Sequence, residues 1–327
     1  MRPHSLLDLL NSVEQQTLYP DEIIIIDGSL NNETAVMLRT HQFVNLQYFL
    51  VGPDDRGLTK QRNYGIRKVD NATEVVCFLD DDTVLEQDYF EQLINTYSIY
   101  PECLGVGGYI ANESDCEYVG PDYKPGIDEY FYDGWKRKDG SRFILRKKLG
   151  LDSDCAPGFS PDFSHGRSVG FLPPSGKTYA VEQLMGGVSS FRKIIFKTIL
   201  FSTYFVGYGL YEDADFSLRV AKTGKLYLNT GARLNHYHEE SGRPSKYNYG
   251  KMVVRNGWYV WRVKNPNPTL KVKLKWNAIT LLLLLIRFTN VISDSNRKAA
   301  LTEALGRTVG WFSLFFKKPK LTDSQQY

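Results

Sequence analysis

Apolar positions along this chain follow two periods that alternate. Leu6, Leu9, Leu10 and Val13 recur at helical spacing and predict a short amphipathic helix over residues 5–16, with no strand before it. Pro20-Asp21-Glu22 leads into Ile23-Ile24-Ile25-Ile26, a run apolar on both faces that stops at Asp27-Gly28-Ser29. Such a run reads as a buried strand of a parallel sheet. A helix over 32–41, a strand at 46–51, a helix opened by Gly57-Leu58-Thr59 and a second unbroken apolar strand, 75–79, come next. A helix over 86–98 and a glycine-rich strand over 104–111 complete a βαβ pattern.

The regular alternation then stops. Residues 112–180 are rich in Asp, Gly, Pro, Tyr and basic side chains, and predict an irregular excursion, either a cover over a site or a solvated insertion. Order returns at Gly186-Gly187 and in a helix from near Tyr211 that ends at Gly224. A strand at 225–228 precedes His236 and His238.

The strand at 75–79 ends in Asp80-Asp81-Asp82. Three adjacent carboxylates repel one another and call for a cation, and ligands of open α/β sheets bind at the carboxyl ends of strands. The plainer alternative is a strand-to-helix turn in which Asp82 caps the helix of Glu86 to Tyr97. A phosphatase of the haloacid dehalogenase type is excluded, because its Asp-x-Asp-x-Thr would put a threonine where Val84 stands.

With 327 residues and 42% hydrophobic content the chain can bury a full core, as one large or two ordinary domains. A net charge of +3 with no dense basic patch argues against nucleic acid as a partner. Cys77, Cys103, Cys116 and Cys155 form no Cys-x-x-Cys pair, so a reducing cytosol without disulfides or zinc is expected. No charged-then-apolar export signal opens the sequence.

Taken in order, the strand ending Asp27-Gly28-Ser29, the Gly57…Arg62-Asn63 segment, Phe78-Leu79-Asp80-Asp81-Asp82 and Glu212-Asp213-Ala214-Asp215…Arg219 resemble the family 2 glycosyltransferases. The resemblance covers residues 1–240 or so. It implies an α/β fold of the GT-A type, a Rossmann-like nucleotide-diphospho-sugar transferase with a mostly parallel sheet. The expected division is a transferase domain over 1–245, with a nucleotide-sugar half (1–111) and an acceptor half (112–245), and a helical extension over 246–327.

By the same resemblance Asp27 contacts the base of the donor nucleotide, and Asp80-x-Asp82 is the Asp-x-Asp motif for ribose and metal. A departing nucleoside diphosphate concentrates negative charge, which a divalent cation, Mg²⁺ or Mn²⁺, held by carboxylates neutralises. Asp82 is the first expected ligand, with Asp80 beside it and His236, ranked ahead of His238, adding a nitrogen. Arg62 and Lys60 are candidates for the diphosphate oxygens, and the alternative for both is a solvated helix charge. Asp213 is the candidate base for the acceptor hydroxyl in a single inverting displacement; its alternative is a first-turn acid favoured by the helix dipole. Met185-Gly186-Gly187 resembles the segment before the acceptor loop, or is a plain turn.

The implied activity is an inverting transfer of one sugar from a nucleotide-sugar donor to a glycan or lipid-linked acceptor, in cell-surface polysaccharide synthesis. Processive relatives carry Gln-x-x-Arg-Trp, which is absent here. A sugar nucleotidyltransferase and a non-catalytic nucleotide- or glycan-binding remnant are the alternatives. The family also opens with an apolar strand ending in a Thr-x-Asn-Arg-Pro-like turn, and this sequence starts at Met1-Arg2-Pro3, where that strand finishes. The first strand is therefore expected to be missing, through an upstream start or in an impaired product.

Beyond the resemblance, 276–286 gives eleven uncharged residues before Arg287, flanked by Lys271, Lys273 and Lys275. That is short of the roughly 20 residues a spanning helix needs, and it fits a helix lying in a membrane interface. Residues 299–316 end in Trp311, Phe312, Phe315 and Phe316, followed by Lys317, Lys318 and Lys320. The expected setting is cytoplasmic, peripheral on the inner face of the cell membrane; packing on the core or in a dimer interface is the alternative.

Overall fold

The computed structural model of the chain describes residues 2–238, 243–293 and 296–321. Its first half runs α1 (Pro3–Glu14), β1 (Ile23–Asp27), α2 (Glu33–Thr40), β2 (Leu46–Leu50), α3 (Leu58–Ile66), β3 (Val75–Leu79), β4 (Thr83–Leu85), α4 (Tyr89–Ile99) and β5 (Cys103–Ile110). Then come β6 (Glu117–Tyr118), β7 (Glu129–Tyr132), β8 (Trp135–Lys138), α5 (Ser141–Lys148), β9 (Thr178–Val181), β10 (Val188–Arg192), α6 (Glu212–Ala221) and β11 (Lys225–His236). Three long helices follow, α7 (Lys246–Lys264), α8 (Leu270–Ser293) and α9 (Arg297–Phe316).

The α/β alternation up to β5 is as expected, and three local differences have physical causes. The short strand β4 separates Asp82 from α4, so Asp82 caps no helix and Asp88 precedes α4 instead. β11 continues to His236 because its ladder with β5 resumes after a register shift between Leu228 and Arg233. Residues 112–180 contain β6, β7, β8 and α5. There Asp133 (φ 51°) and Gly134 (φ 82°) adopt the left-handed conformations that a two-residue hairpin loop between β7 and β8 demands.

The chain forms two compact units. One holds the residues up to Ser114 together with those from Val169 through β11. Its main sheet has the order β3-β10-β5-β11-β4, with β9 also pairing β11. The strands β3, β5 and β11 run the same way, and β10 is inserted antiparallel between β3 and β5. β1 pairs with β2 in a separate parallel ladder, and among the described residues no ladder joins β1 to β3.

Why β3 is apolar at every position is visible in its two faces. Val75, Cys77 and Leu79 pack toward Leu6, Leu9 and Leu10 of α1 and Leu93 of α4. Phe78 points the other way, into an aromatic layer with Phe191, Phe196 and Phe201, on which Phe216 of α6 stacks. The side chains of β3 are only half-buried, so each contributes less than the roughly 1.5–3 kcal/mol of a fully buried Leu or Phe, but packing on both faces still holds the strand's acidic end in place.

The second unit comprises Asp115–Ser168 and the C-terminal helices. It contains the antiparallel sheet β6-β8-β7, the buried Arg167 bridging Asp139 (2.8 Å) and Asp152 (3.0 Å), and a core of Val254, Trp258, Trp261, Trp276 and Leu314. Leu270–Ile292 is long and apolar enough to cross a membrane by length and composition. Arg287, which ends the uncharged run in the sequence, lies within this helix, and its guanidinium pairs with Glu303 of α9 at 3.1 Å.

Candidate functional site

The end of β3 meets four other segments of the first unit. Asp80 N–H donates to the Gly187 carbonyl at 3.1 Å, continuing the β3–β10 ladder by one residue, and the chain then turns as Thr83 N–H donates back to the Asp80 carbonyl. β4 leaves that turn paired with β11 so that Thr83 faces His236. This register brings His236 Nε2 to 3.1 Å from Asp82 Oδ1.

On the other side, Gly186-Gly187 is wedged between β3 and the N-terminus of α6. Gly186 N–H donates to Asp213 Oδ2 at 3.2 Å. A Cβ on Gly186 would lie 2.6 Å from the Arg62 guanidinium, and one on Gly187 would collide with the Asp80 carboxyl carbon. Glycine is required at both positions by close approach rather than by turn geometry.

Arg62, on α3, ties the pieces together. Its guanidinium pairs with Glu212 Oε1 and lies 3.6 Å from Asp80 Oδ1, over the rings of Phe201 (5.2 Å) and Phe78 (5.8 Å). Arg2 supplies a second counter-charge, with its guanidinium on Asp81 and, at 2.9 Å, on Asp82 Oδ2.

Titration behaviour follows from this crowding. Burial first, then the negative charges of Asp213 and Asp80, push Glu212 up to about 8 against the pull of Arg62. Its Oε2 is buried with no hydrogen-bond partner. Asp80 is raised by desolvation and by Asp82 and Asp81, with Arg62 and His236 opposing. The hydrogen bond to Asp82 and the facing Glu113 carboxylate raise His236 to about 9 despite partial burial. Arg2, Arg62 and the imidazolium thus provide the positive charge that the carboxylates require.

Asp27 lies apart from this cluster, fully buried at the end of β1. Burial opposes its ionisation, but Ser29, through hydroxyl and backbone N–H, and the Tyr48 hydroxyl at 2.9 Å hold the carboxyl below its ordinary value.

Residues 1–161 match the family described as glycosyl transferase family 2. The chain belongs to that family. It is similar to the O-antigen chain rhamnosyltransferase RfbN of Salmonella typhimurium, 29% identical over 92 residues, 28% of this chain and 28% of that protein. It is also similar to the glucosyl-dolichyl phosphate glucuronosyltransferase of Haloferax volcanii, 30% identical over 112 residues, 33% of this chain and 34% of that protein. The matches thus span about a third or less of each curated relative.

Among solved structures, GalNAc-T7 with UDP, GalNAc and Mn²⁺ covers 84% of this chain and 51% of its own at a TM-score of 0.47 and 16% identity. TarS of S. aureus covers 86% of this chain and 40% of its own at a TM-score of 0.45 and 12% identity.

The fold of this family 2 chain is the expected GT-A α/β type with a helical C-terminal region, but its main sheet is mixed rather than mostly parallel, because β10, β4 and β9 all pair antiparallel to their neighbours. Of the residues singled out in the sequence, Asp80, Asp82, His236, Arg62 and Asp213 come together around Gly186-Gly187. Lys60 does not join them: its amine donates to the Asp54 carbonyl at 2.7 Å, and among the described residues no ion pair links it to the cluster. Asp27 is bonded instead to Ser29 and Tyr48, apart from the cluster.

Three participants were not anticipated. Glu212 was visible only as the neighbour of Asp213, and its partner Arg62 lies 150 residues earlier. Arg2 and Glu113 carried no sequence signal, since nothing local marks a residue whose partner is set by strand pairing.

Proposed function

We propose that this chain transfers a single sugar, with inversion, from a nucleotide-sugar donor to a hydroxyl of a glycan or lipid-linked acceptor in cell-surface polysaccharide assembly. The observation that carries this reading is the convergence of Asp80, Asp82 and His236 on one side of Gly186-Gly187 and of Asp213 on the other. The names of the relatives, an O-antigen chain rhamnosyltransferase and a glucosyl-dolichyl phosphate glucuronosyltransferase, support a glycan or lipid-linked acceptor.

The donor set fits a divalent cation, because two carboxylates and one imidazole nitrogen offer ligand atoms within 4.8 Å of one another. Mn²⁺ accepts such a mixed set, and Mg²⁺ would rely mainly on the oxygens. When bound, the cation supplies neutralisation of the departing diphosphate. The chain's own residues do the rest. Asp27 at the end of β1 receives the donor base, and Arg62 provides fixed positive charge beside Asp80. Asp213 takes the proton of the acceptor hydroxyl as it attacks, from the side opposite the leaving group. Glu212 holds Arg62 in place.

In this reading the transferase chemistry belongs to residues 1–245, and the extension over 246–327 attaches the protein to a membrane surface at the cytoplasmic face. Support comes from the α8–α9 hairpin. Arg287 pairs with Glu303, and Trp311 Nε1 donates to Asn277 at 2.9 Å, so the helices are antiparallel. Lys271, Lys273 and Lys275 therefore share one end of the hairpin with Lys317, Lys318 and Lys320, beside the exposed Leu274, Phe312, Phe315 and Phe316.

The test is transfer by the purified chain, screened across nucleotide sugars with and without Mn²⁺, beside Asp213→Asn. The variant should lose roughly 10²–10⁴-fold in transfer while its metal-dependent nucleotide binding persists. Undiminished turnover in Asp213→Asn would remove that residue from the mechanism, and no transfer from any nucleotide sugar, with or without Mn²⁺, would refute the transferase reading.

A further inference from the structure

His236 has two neighbourhoods. Its Nε2 faces Asp82, while its Nδ1 is buried, lacks a hydrogen-bond partner and lies 3.4 Å from Glu113 Oε1. Glu113 is held there by its neighbour Asn112, whose side chain both accepts from His236 N–H and donates to the His236 carbonyl, each at 3.0 Å. His238, two residues on, projects to the same side as His236 in extended chain. Its Nε2 lies 2.9 Å from the same Glu113 oxygen, and the two rings are 4.1 Å apart.

From this geometry we infer a second cation site, made of Glu113, His236 and His238, that takes a borderline-soft ion such as Zn²⁺ and excludes the cation of the Asp80–Asp82 site. Ligand bonds of about 2.0–2.1 Å in a tetrahedron put donor atoms roughly 3.3 Å apart. The two Glu113 distances of 3.4 and 2.9 Å bracket that value, and the three donor atoms lie within 4.8 Å of one another. Two imidazoles and one carboxylate with an open fourth position suit zinc better than magnesium. Glu113 and His238 are both partly open to solvent, which gives an ion a way in.

The exclusion follows from the imidazole itself. A neutral ring has one lone pair and one N–H. With a cation on Nε2 beside Asp82, the proton resides on Nδ1 and is donated toward Glu113. With Zn²⁺ on Nδ1, the proton resides on Nε2 and is donated to Asp82. One ring therefore serves one site at a time, and by linkage each ion weakens the other. The exclusion rests on the assignment of Asp80, Asp82 and His236 to the donor's cation; the Glu113 site itself does not.

The experiment is metal binding by the full chain, read without turnover. Co²⁺, as a spectroscopic stand-in for Zn²⁺, should give the intense visible bands of tetrahedral coordination. Those bands should be lost in His238→Gln and in Glu113→Gln and retained in Asp80→Asn. Zn²⁺ affinity should fall at least roughly tenfold in either of the first two variants. Mn²⁺ bound to the wild type, followed by electron paramagnetic resonance, should be released by Zn²⁺ and should resist release in His238→Gln. Identical Co²⁺ spectra in wild type and both variants would overturn the site. Zn²⁺ binding through His238 with no release of bound Mn²⁺ would overturn the exclusion. A Co²⁺ signal that depends on His238 in a protein that binds no Mn²⁺ would uphold the site while refuting the donor-cation assignment.

Discussion

His236 Nε2 stands 3.1 Å from Asp82 Oδ1, although 154 residues separate them in the chain. Pairing of β4 with β11 brings them together, by setting Thr83 opposite His236. If that pair forms part of a cation site, Asp82→Ala should abolish the effect of Mn²⁺ on nucleotide affinity, and His236→Ala should weaken it by a smaller factor, since oxygen ligands dominate for Mn²⁺. Titration calorimetry with a nucleoside diphosphate decides it: equal affinity with and without Mn²⁺ in the wild type would remove the metal from donor binding.

Gly187→Ala should damage the site sterically. Its Cβ would collide with the Asp80 carboxyl, which is also confined by Arg62. Overpacking of this kind typically costs about 1–3 kcal/mol, so the melting temperature should drop and metal-dependent nucleotide binding should weaken. Gly140→Ala, where a Cβ meets nothing within 4 Å, serves as the control. Equal melting temperatures and nucleotide affinities for the two variants would show that Gly187 is a plain turn.

The Tyr48–Asp27 pair predicts an alkaline signature. Burial first, then the hydrogen bond to Asp27 and its charge, push the Tyr48 phenol from 10.0 up to about 12. The folded chain therefore keeps a proton that the unfolded chain releases between these values. The stability contributed is complete below pH 10 and is lost as pH rises toward 12. Tyr48→Phe should flatten the fall of stability across that window, and Asp27→Asn should bring the phenol's titration back toward 10, as read by phenolate absorbance. An unchanged alkaline profile in both variants would contradict the pairing.

Six lysines at one end of the α8–α9 hairpin predict binding to anionic vesicles. Near an acidic surface each lysine contributes about 1 kcal/mol, so replacing Lys271, Lys273 and Lys275 by Gln should weaken binding roughly a hundredfold. Flotation at low and high salt measures it. Equal recovery of wild type and variant in the soluble fraction, with neutral and anionic lipid alike, would favour helices that serve only packing.

The amino-acid order alone determined the strand–helix alternation up to β5. It also marked the two unbroken apolar strands and the acidic turn after β3, because these depend on local periodicity and on charge placed directly after a buried run. The hairpin in the 112–180 segment was not anticipated: Asp133-Gly134 forms its turn, but the surrounding charge obscured its short strands. Tertiary structure decided the partners. Arg62 meeting Glu212, Gly187 pressing on Asp80, Arg2 covering Asp81 and Glu113 standing between two histidines all arise from strand register and helix packing across long separations. Only the packed chain sets those distances, since a side chain's partners across a sheet are chosen by ladder pairing and not by its neighbours in sequence.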